Sequence, residues 1–341
     1  MCRTAQRLAT AGALVDTSPN VTIGPSGSRG LALLYYSHPS SLEHDPGPGH
    51  PEAAVRLRHV EKAVEAAVLP ELERRAAPEA TLEQVRRVHP EPYASHVIAA
   101  VPERGYARLD ADTVLSPGSG EAALRAAGAA CAAVDAVLAG DAEAAFCATR
   151  PPGHHAEPMQ AMGFCLFNNV AVAAMQARHV HKLSRLAIVD FDVHHGNGTQ
   201  AAFWDDPGTL YVSTHQSPLY PGTGLASERG VKGNVLNVPL RPGTDGPAFR
   251  AAVERLVLPL VDAWRPELLL ISAGFDAHAA DPLANLMLTE GDFAWITREL
   301  RAIAGRYERG RVVSVLEGGY DPPALGRSVV AHLEALAGRP G

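Results

Sequence analysis

A chain of 341 residues, 46% of them hydrophobic, can bury a large core and sits at the upper edge of a single α/β domain. Lys and Arg number 30 against 37 Asp and Glu, a net charge of −7, and no basic run is interleaved with aromatics; direct nucleic-acid binding is disfavoured, and a cationic small molecule or basic peptide suits the chain better. Cys2, Cys131, Cys147 and Cys165 make neither a Cys-x-x-Cys pair nor a disulfide framework, which points to a reducing, cytoplasmic setting, and no apolar stretch is expected to reach the roughly 20 residues of a membrane span.

Residues 1–30 carry Arg3, Arg7 and Arg29 among scattered Ser, Thr, Gly and Pro. They lack the apolar centre of a secretory signal and read as a disordered extension ahead of one folded domain over residues 31–341. Strand-like apolar runs then follow at Leu31–Tyr36, Ala144–Ala148, Leu186–Val189, Thr209–Ser213, Leu268–Ser272 and Val312–Leu316. Helical stretches lie between most of them, at Glu121–Ala139, Asn169–Arg178, Ala248–Leu260 and Gly291–Tyr307. This alternation predicts an α/β fold: a single domain with a mainly parallel β-sheet and helices on both faces.

The polar residues of interest fall just after the strands. His154 and His155 follow the run at 144–148, Asp190 to His195 follow 186–189, Asp276 follows 268–272, and Glu317-Gly318-Gly319-Tyr320 follows 312–316. The carboxyl ends of strands are where open α/β sheets place their active sites. Asp192 and His194 stand two apart, so on an extended segment both side chains leave the same face and can reach one ion. Asp276 supplies a third ligand. Two aspartates and one histidine leave coordination positions open, as a catalytic metal requires and a closed structural site does not. A satisfied core histidine is the competing reading for either pair alone; two pairs together with Asp276 outweigh it.

The motifs Pro152-Gly153-His154-His155, Gly163-Phe164-Cys165 with Asn168-Asn169, Asp192-Val193-His194-His195-Gly196-Asn197-Gly198, Gly274-Phe275-Asp276 and Glu317-Gly318-Gly319-Tyr320 resemble those of the histone deacetylase superfamily. The likeness spans about residues 31–336 and is greatest to the class II branch and its bacterial members, the histone deacetylase-like amidohydrolases. It implies an arginase/deacetylase-like fold, with residues 31–341 as the deacetylase catalytic domain. The implied reaction is removal of acetyl or another acyl group from the side-chain amine of acetyl-lysine or a similar amide. The implied cofactor is Zn²⁺, and the Asp/His set would also accept Fe²⁺ or Co²⁺.

The resemblance also distributes roles. His155 becomes the base that takes a proton from water and the acid that later protonates the amine, with His154 as electrostatic partner. Asp190 and Asn197 orient the two rings, the Asn leaving His155 less basic than an Asp would. Tyr320, approached through Gly318 and Gly319, donates to the oxyanion; alone, such a Tyr reads as a turn residue. Phe164 and Tyr220, otherwise ordinary core aromatics, wall a tunnel beside Gly163. Leu283 stands where polyamine-selective relatives carry Glu. Asp112 is expected on the rim, with Asp110 a rival by register and capping of a following helix the alternative role. Asp190, Asp192, His194, Ser213 and Thr214 match a structural K⁺ site.

The expected partner is an acetylated peptide or small acetylamide, with no membrane and with a homo-oligomer left open. An acetylpolyamine deacetylase is the alternative within the enzyme reading. An arginase-type ureohydrolase would need a further carboxylate beside the histidine of the metal loop, which here runs His194-His195-Gly196. A non-catalytic acetyl-lysine-binding module would be expected to lose Tyr320, His155 or a ligand, and all are present.

Overall fold

Strands built from Leu, Val, Ile and Ala with no polar alternation need cover on both faces, and a parallel sheet between helices provides it. The structure, a computed structural model, describes residues 33–307 and 311–339; the extension expected over residues 1–30 lies outside the described residues. Among the described residues ten strands run β1 Leu33–Ser37, β2 Leu72–Ala76, β3 Ala107–Arg108, β4 Val114–Leu115, β5 Ala144–Cys147, β6 Leu186–Asp190, β7 Thr209–Gln216, β8 Val235–Leu240, β9 Leu268–Ala273 and β10 Val312–Leu316. Eight of them form one sheet in the order β2-β1-β5-β10-β9-β6-β7-β8, parallel at every pairing, while β3 and β4 form a small antiparallel pair. Side chains alternate between two buried layers: Leu33 and Tyr35 join one core cluster, Leu34 and Tyr36 the other.

The expected strands and helices are present, and several further elements join them. The two sheet edges, β2 and β8, were not legible as strands because β2 reads Leu-Glu-Arg-Arg-Ala and β8 contains Pro239. Charge and proline at edges are how sheets avoid pairing with other chains. Helices Val55–Ala66 and Pro322–Leu336 were also unanticipated; their apolar faces, among them Leu57, Val60, Leu325 and Val329, share one core cluster. The helix expected at Ala248–Leu260 runs from Gly246 to Trp264 with a π turn at Val253–Val257. Pro259 lacks the N–H that would continue the α ladder there.

Three expectations need correction. Helix Ser119–Ala139 is long and apolar enough to cross a membrane by length and composition. Its Ala-rich faces are instead largely buried against the sheet and helix Asn169–His179. The segment carrying Asp192 and His194 is not extended either. The Asp190 carboxylate accepts the Asp192 N–H at 3.1 Å and the Asp192 carboxylate accepts the His194 N–H at 2.9 Å, which curls the chain after β6 into successive bends. Finally, no helix follows Asp112 directly, so it caps none; the next helix begins at Ser119. Cys131, Cys147 and Cys165 are buried free thiols.

One core histidine has a readable state. His332 lies buried on helix Pro322–Leu336 with its ring centroid 5.5 Å from Phe146 and 5.6 Å from Phe275. The Thr297 hydroxyl donates to Phe293 O at 2.6 Å, so its oxygen accepts from His332 Nδ1, also at 2.6 Å. His332 Nε2 therefore accepts from the Ser314 hydroxyl at 2.9 Å. Burial, with no counter-charge, pushes the pKa down from 6.5 to about 3. The unfolded chain takes up this proton near 6.5 while the folded chain refuses it, so this contribution to stability is complete above that pH and is lost as pH falls toward 3. His332→Gln should lower the slope of unfolding free energy against pH by up to about 1.4 kcal/mol per unit between about pH 6 and 4. Denaturant titrations across that range check it, and an unchanged slope would sink the assignment.

Candidate active site

The four loops that carry the candidate residues leave the carboxyl ends of β5, β10, β9 and β6, which are consecutive neighbours in the sheet. Parallel pairing therefore gathers residues more than 150 positions apart. Asp192, His194 and Asp276 are all buried, and one ligand atom from each lies within 4.8 Å of the others. His194 Nδ1 is 3.1 Å from both Asp192 Oδ1 and Asp276 Oδ2. The remaining carboxylate oxygens are held by backbone: Asp276 Oδ1 accepts the Val193 N–H at 2.9 Å, and Asp192 Oδ2 accepts the Gly318 N–H at 2.8 Å. Glycine is required around them, since a Cβ at Gly274 would overlap Asp192 Oδ2 and one at Gly318 would overlap Asp276 Oδ2.

This donor set fits a divalent cation. Burial, followed by the charge on Asp192, pushes the Asp276 carboxyl up to about 7. Against burial, hydrogen bonds to Asp192 and Asp276 raise His194 to about 10, so this cluster holds protons that a bound cation would displace. An ion bound by oxygen and imidazole takes their place.

The two histidines after β5 have different partners. His154 Nδ1 sits 3.0 Å from Asp190 Oδ2, which also accepts the Tyr211 hydroxyl at 3.1 Å. Burial opposes charge on His154, but Asp192 and Asp190 outweigh it and its pKa is raised well above the ordinary value. His155 Nδ1 faces the neutral Asn197 Oδ1 at 2.8 Å. There burial, then the charges of His154 and His194, hold the pKa well below the usual histidine range. The ring centroids are 4.0 Å apart, so one cationic ring suppresses charge on the other.

Above these groups opens a cavity of about 230 Å³, lined by Asp112, His155, Gly163, Phe164, His194, Leu219, Tyr220, Leu283 and Tyr320. Asp112, Gly163, Phe164, Tyr220 and Leu283 line it as expected and Leu219 joins them, whereas Gly318 and Gly319, also expected at the substrate, are not among its lining residues. Gly163 adopts φ +57°, and a Cβ there would overlap the His155 ring. Phe164 also lies in the left-handed region, at φ +68°. Its turn is held by Asp112 Oδ1, which accepts the Gly163 N–H at 3.1 Å, and by Thr113 Oγ1, which accepts the Phe164 N–H at 3.2 Å. Asp110 does not line the cavity; its carboxylate accepts the Ala111 N–H.

Tyr320 faces Phe164 across the cavity at 5.9 Å between ring centroids. Burial raises its hydroxyl pKa well above 10, which keeps the phenol protonated. Its support was not foreseen from sequence. Arg56 stacks 4.7 Å from the Tyr320 ring and donates to Gly319 O at 2.6 Å and Glu317 O at 2.5 Å, fixing the Gly318-Gly319 approach. Glu52 binds Arg56 at 2.7 Å and Arg150 at 2.5 Å, all three side chains fully buried. Glu317 Oε2 accepts the Gly153 and His154 N–H groups at 2.7 and 3.1 Å. Asp281 accepts the Tyr320 N–H at 2.6 Å and the Leu283 N–H at 3.0 Å, tying the Tyr320 and Leu283 loops together. The spacing of Glu52 and Arg56, four apart, was the available signal.

His195, the second member of the other pair, points elsewhere. Its nitrogens meet Thr223 Oγ1 at 2.7 Å and Gln200 Oε1 at 3.0 Å. Of the oxygens matched to a potassium site, Ser213 pairs directly with Asp190 across β6 and β7, and Thr214 Oγ1 is buried without a hydrogen-bond partner.

Comparisons with known proteins identify the family and the fold. The histone deacetylase domain model matches residues 50–336. A histone deacetylase-like amidohydrolase of Pseudomonas aeruginosa is 41% identical over 296 residues, covering 85% of this chain and 77% of the relative. A probable deacetylase of Archaeoglobus fulgidus is 39% identical over 308 residues, covering 88% and 85%. The crystal structure of the HDA15 HD domain superposes with a TM-score of 0.86 at 34% identity, covering 91% of this chain and 89% of that one. The adjacent strands, the gathered loops and the match across most of the chain lead to one conclusion: the chain belongs to the histone deacetylase family of hydrolases.

Proposed function

We propose that this protein hydrolyses the acyl amide of an acetyl-lysine side chain, or of a similar slender acylated amine, using one divalent cation at Asp192, His194 and Asp276, with Zn²⁺ the first candidate. The observation that carries this reading is that one cavity is lined by the His155 ring, the Tyr320 side chain and His194, the member of the triad that reaches it. When bound, the cation would polarise the amide carbonyl and make a water molecule more acidic. His155, with Nδ1 committed to Asn197, has its other nitrogen free to take the proton from that water and pass it to the departing amine. His154, charged against Asp190, adds positive field beside the reacting atoms. Tyr320 keeps its proton and donates a hydrogen bond to the developing oxyanion.

The walls fit an uncharged arm: Phe164, Tyr220, Leu219 and Leu283 are apolar over most of their surface, and Asp112 keeps one carboxylate oxygen for a substrate amide at the rim. Asp190, Asp192, His194, Ser213 and Thr214 would hold a structural K⁺ that stiffens the loop after β6; the unpartnered Thr214 hydroxyl supports this.

Tyr320→Phe should retain metal while kcat falls by about 10² to 10³. Assay on an acetyl-lysine peptide beside elemental analysis checks this, and a near-wild-type kcat would remove Tyr320 from the mechanism. Substrate choice follows from Leu283, which offers no carboxylate to a distal ammonium. Wild type should use acetyl-lysine at least as well as N-acetylspermidine by kcat/KM, and Leu283→Glu should move the ratio toward the polyamine by tenfold or more, about 1.4 kcal/mol. A strong wild-type preference for the polyamine, unmoved by the substitution, would contradict this reading.

A further inference from the structure

Asn197 stands between His155 and a second acidic group. Its Oδ1 faces His155 Nδ1 at 2.8 Å, while its Nδ2 donates to Glu157 Oε1, also at 2.8 Å. Met162 Sδ at 3.3 Å and the His155 carbonyl at 3.5 Å lie on the same side as Glu157. Three acceptors around one end decide which way the amide points. Turned over, Asn197 would press its carbonyl oxygen against the Glu157 carboxylate. An amide oxygen only accepts, so His155 carries its proton on Nδ1, and Nε2 is left as the acceptor. Glu157 is itself well placed for this: it is half-buried, its N–H donates to Gln160 O at 2.9 Å, and its carbonyl accepts the Gln160 N–H at 3.3 Å. His154 differs, because it meets the Asp190 carboxylate directly.

We infer that Glu157 is a positioning residue for the reaction, which locks the Asn197 amide and thereby sets the tautomer and orientation of His155. The inference rests on the amide-hydrolase reading above. An amide interposed between carboxylate and imidazole transmits orientation without placing a full negative charge against the ring. His155 thus keeps a bare nitrogen for a proton that it must both take and give back.

The test is a double-mutant cycle. Glu157→Ala should lower kcat by about 10- to 100-fold with KM and the thermal midpoint little changed. Glu157→Gln retains an acceptor for Asn197 Nδ2 and should keep most of kcat. Asn197→Asp alone sets two carboxylates against each other and should lose activity; adding Glu157→Gln, whose amide can donate to the new carboxylate, should recover about tenfold or more. If Glu157→Gln gives no recovery in that background, the effects are independent and the inference fails. A second readout does not depend on turnover. ¹⁵N spectra of histidine-labelled protein, with His155→Gln used to assign the resonance, should show His155 protonated at Nδ1 in wild type and a mixed tautomer in Glu157→Ala. Protonation at Nε2 in wild type would overturn the positioning role. Nδ1 protonation in a protein that hydrolyses no acyl amide would overturn the proposed function and leave the positioning intact.

Discussion

Negative charge without water is the constraint around which this molecule is organised. Asp190, Asp192, Asp276 and Glu317 are buried together at the carboxyl ends of three neighbouring strands, β6, β9 and β10. An isolated carboxylate in such surroundings is severely penalised, so each must be matched by a cation or several N–H donors. His154 answers Asp190, the Gly153 and His154 amides answer Glu317, and the Val193 and Gly318 amides take one oxygen each from Asp276 and Asp192. What is left over is a set of oxygens and one imidazole within 4.8 Å of one another, a group that could hold a cation. The glycines at 274 and 318 and the bends after β6 follow from packing those groups so closely.

A second buried charge system carries the opposite wall. Glu52 with Arg56 and Arg150 lies under the Gly318-Gly319-Tyr320 turn, and Arg56 both stacks on Tyr320 and binds the carbonyls that precede it. Removing one member would leave a buried charge unpaired, at a cost of about 3–5 kcal/mol. Tyr320 is thus positioned by the protein's interior and not by the flexibility its two glycines suggest.

Much of this was legible in the sequence because the sheet is parallel and fully covered. Uninterrupted apolar runs marked β5, β6, β9 and β10, and polar groups just beyond them marked the site. The edge strands β2 and β8 were not legible, since exposure removes the apolar signal and charge or proline takes its place. Asp192, His194 and Asp276 do come together, but Asp192 and His194 converge through bends capped by carboxylates, not through the two-residue period of a strand. The roles of Leu219 and Asp281 arise only from tertiary contact, and the four-residue spacing of Glu52 and Arg56 marks a pair but not the Tyr320 turn that Arg56 supports. His195, given no role by the sequence, turns toward Thr223 and Gln200.

The account stands on a single cation completing the charge balance of Asp192, His194 and Asp276. The most direct measurement strips the protein with a chelator, returns Zn²⁺ in fractional equivalents, and follows acetyl-lysine peptide hydrolysis together with the thermal midpoint. Both should rise in step and level off at one ion per chain, because the ion relieves buried repulsion as well as enabling the reaction. Full hydrolysis by the stripped protein, or saturation only at two ions per chain, would contradict the account.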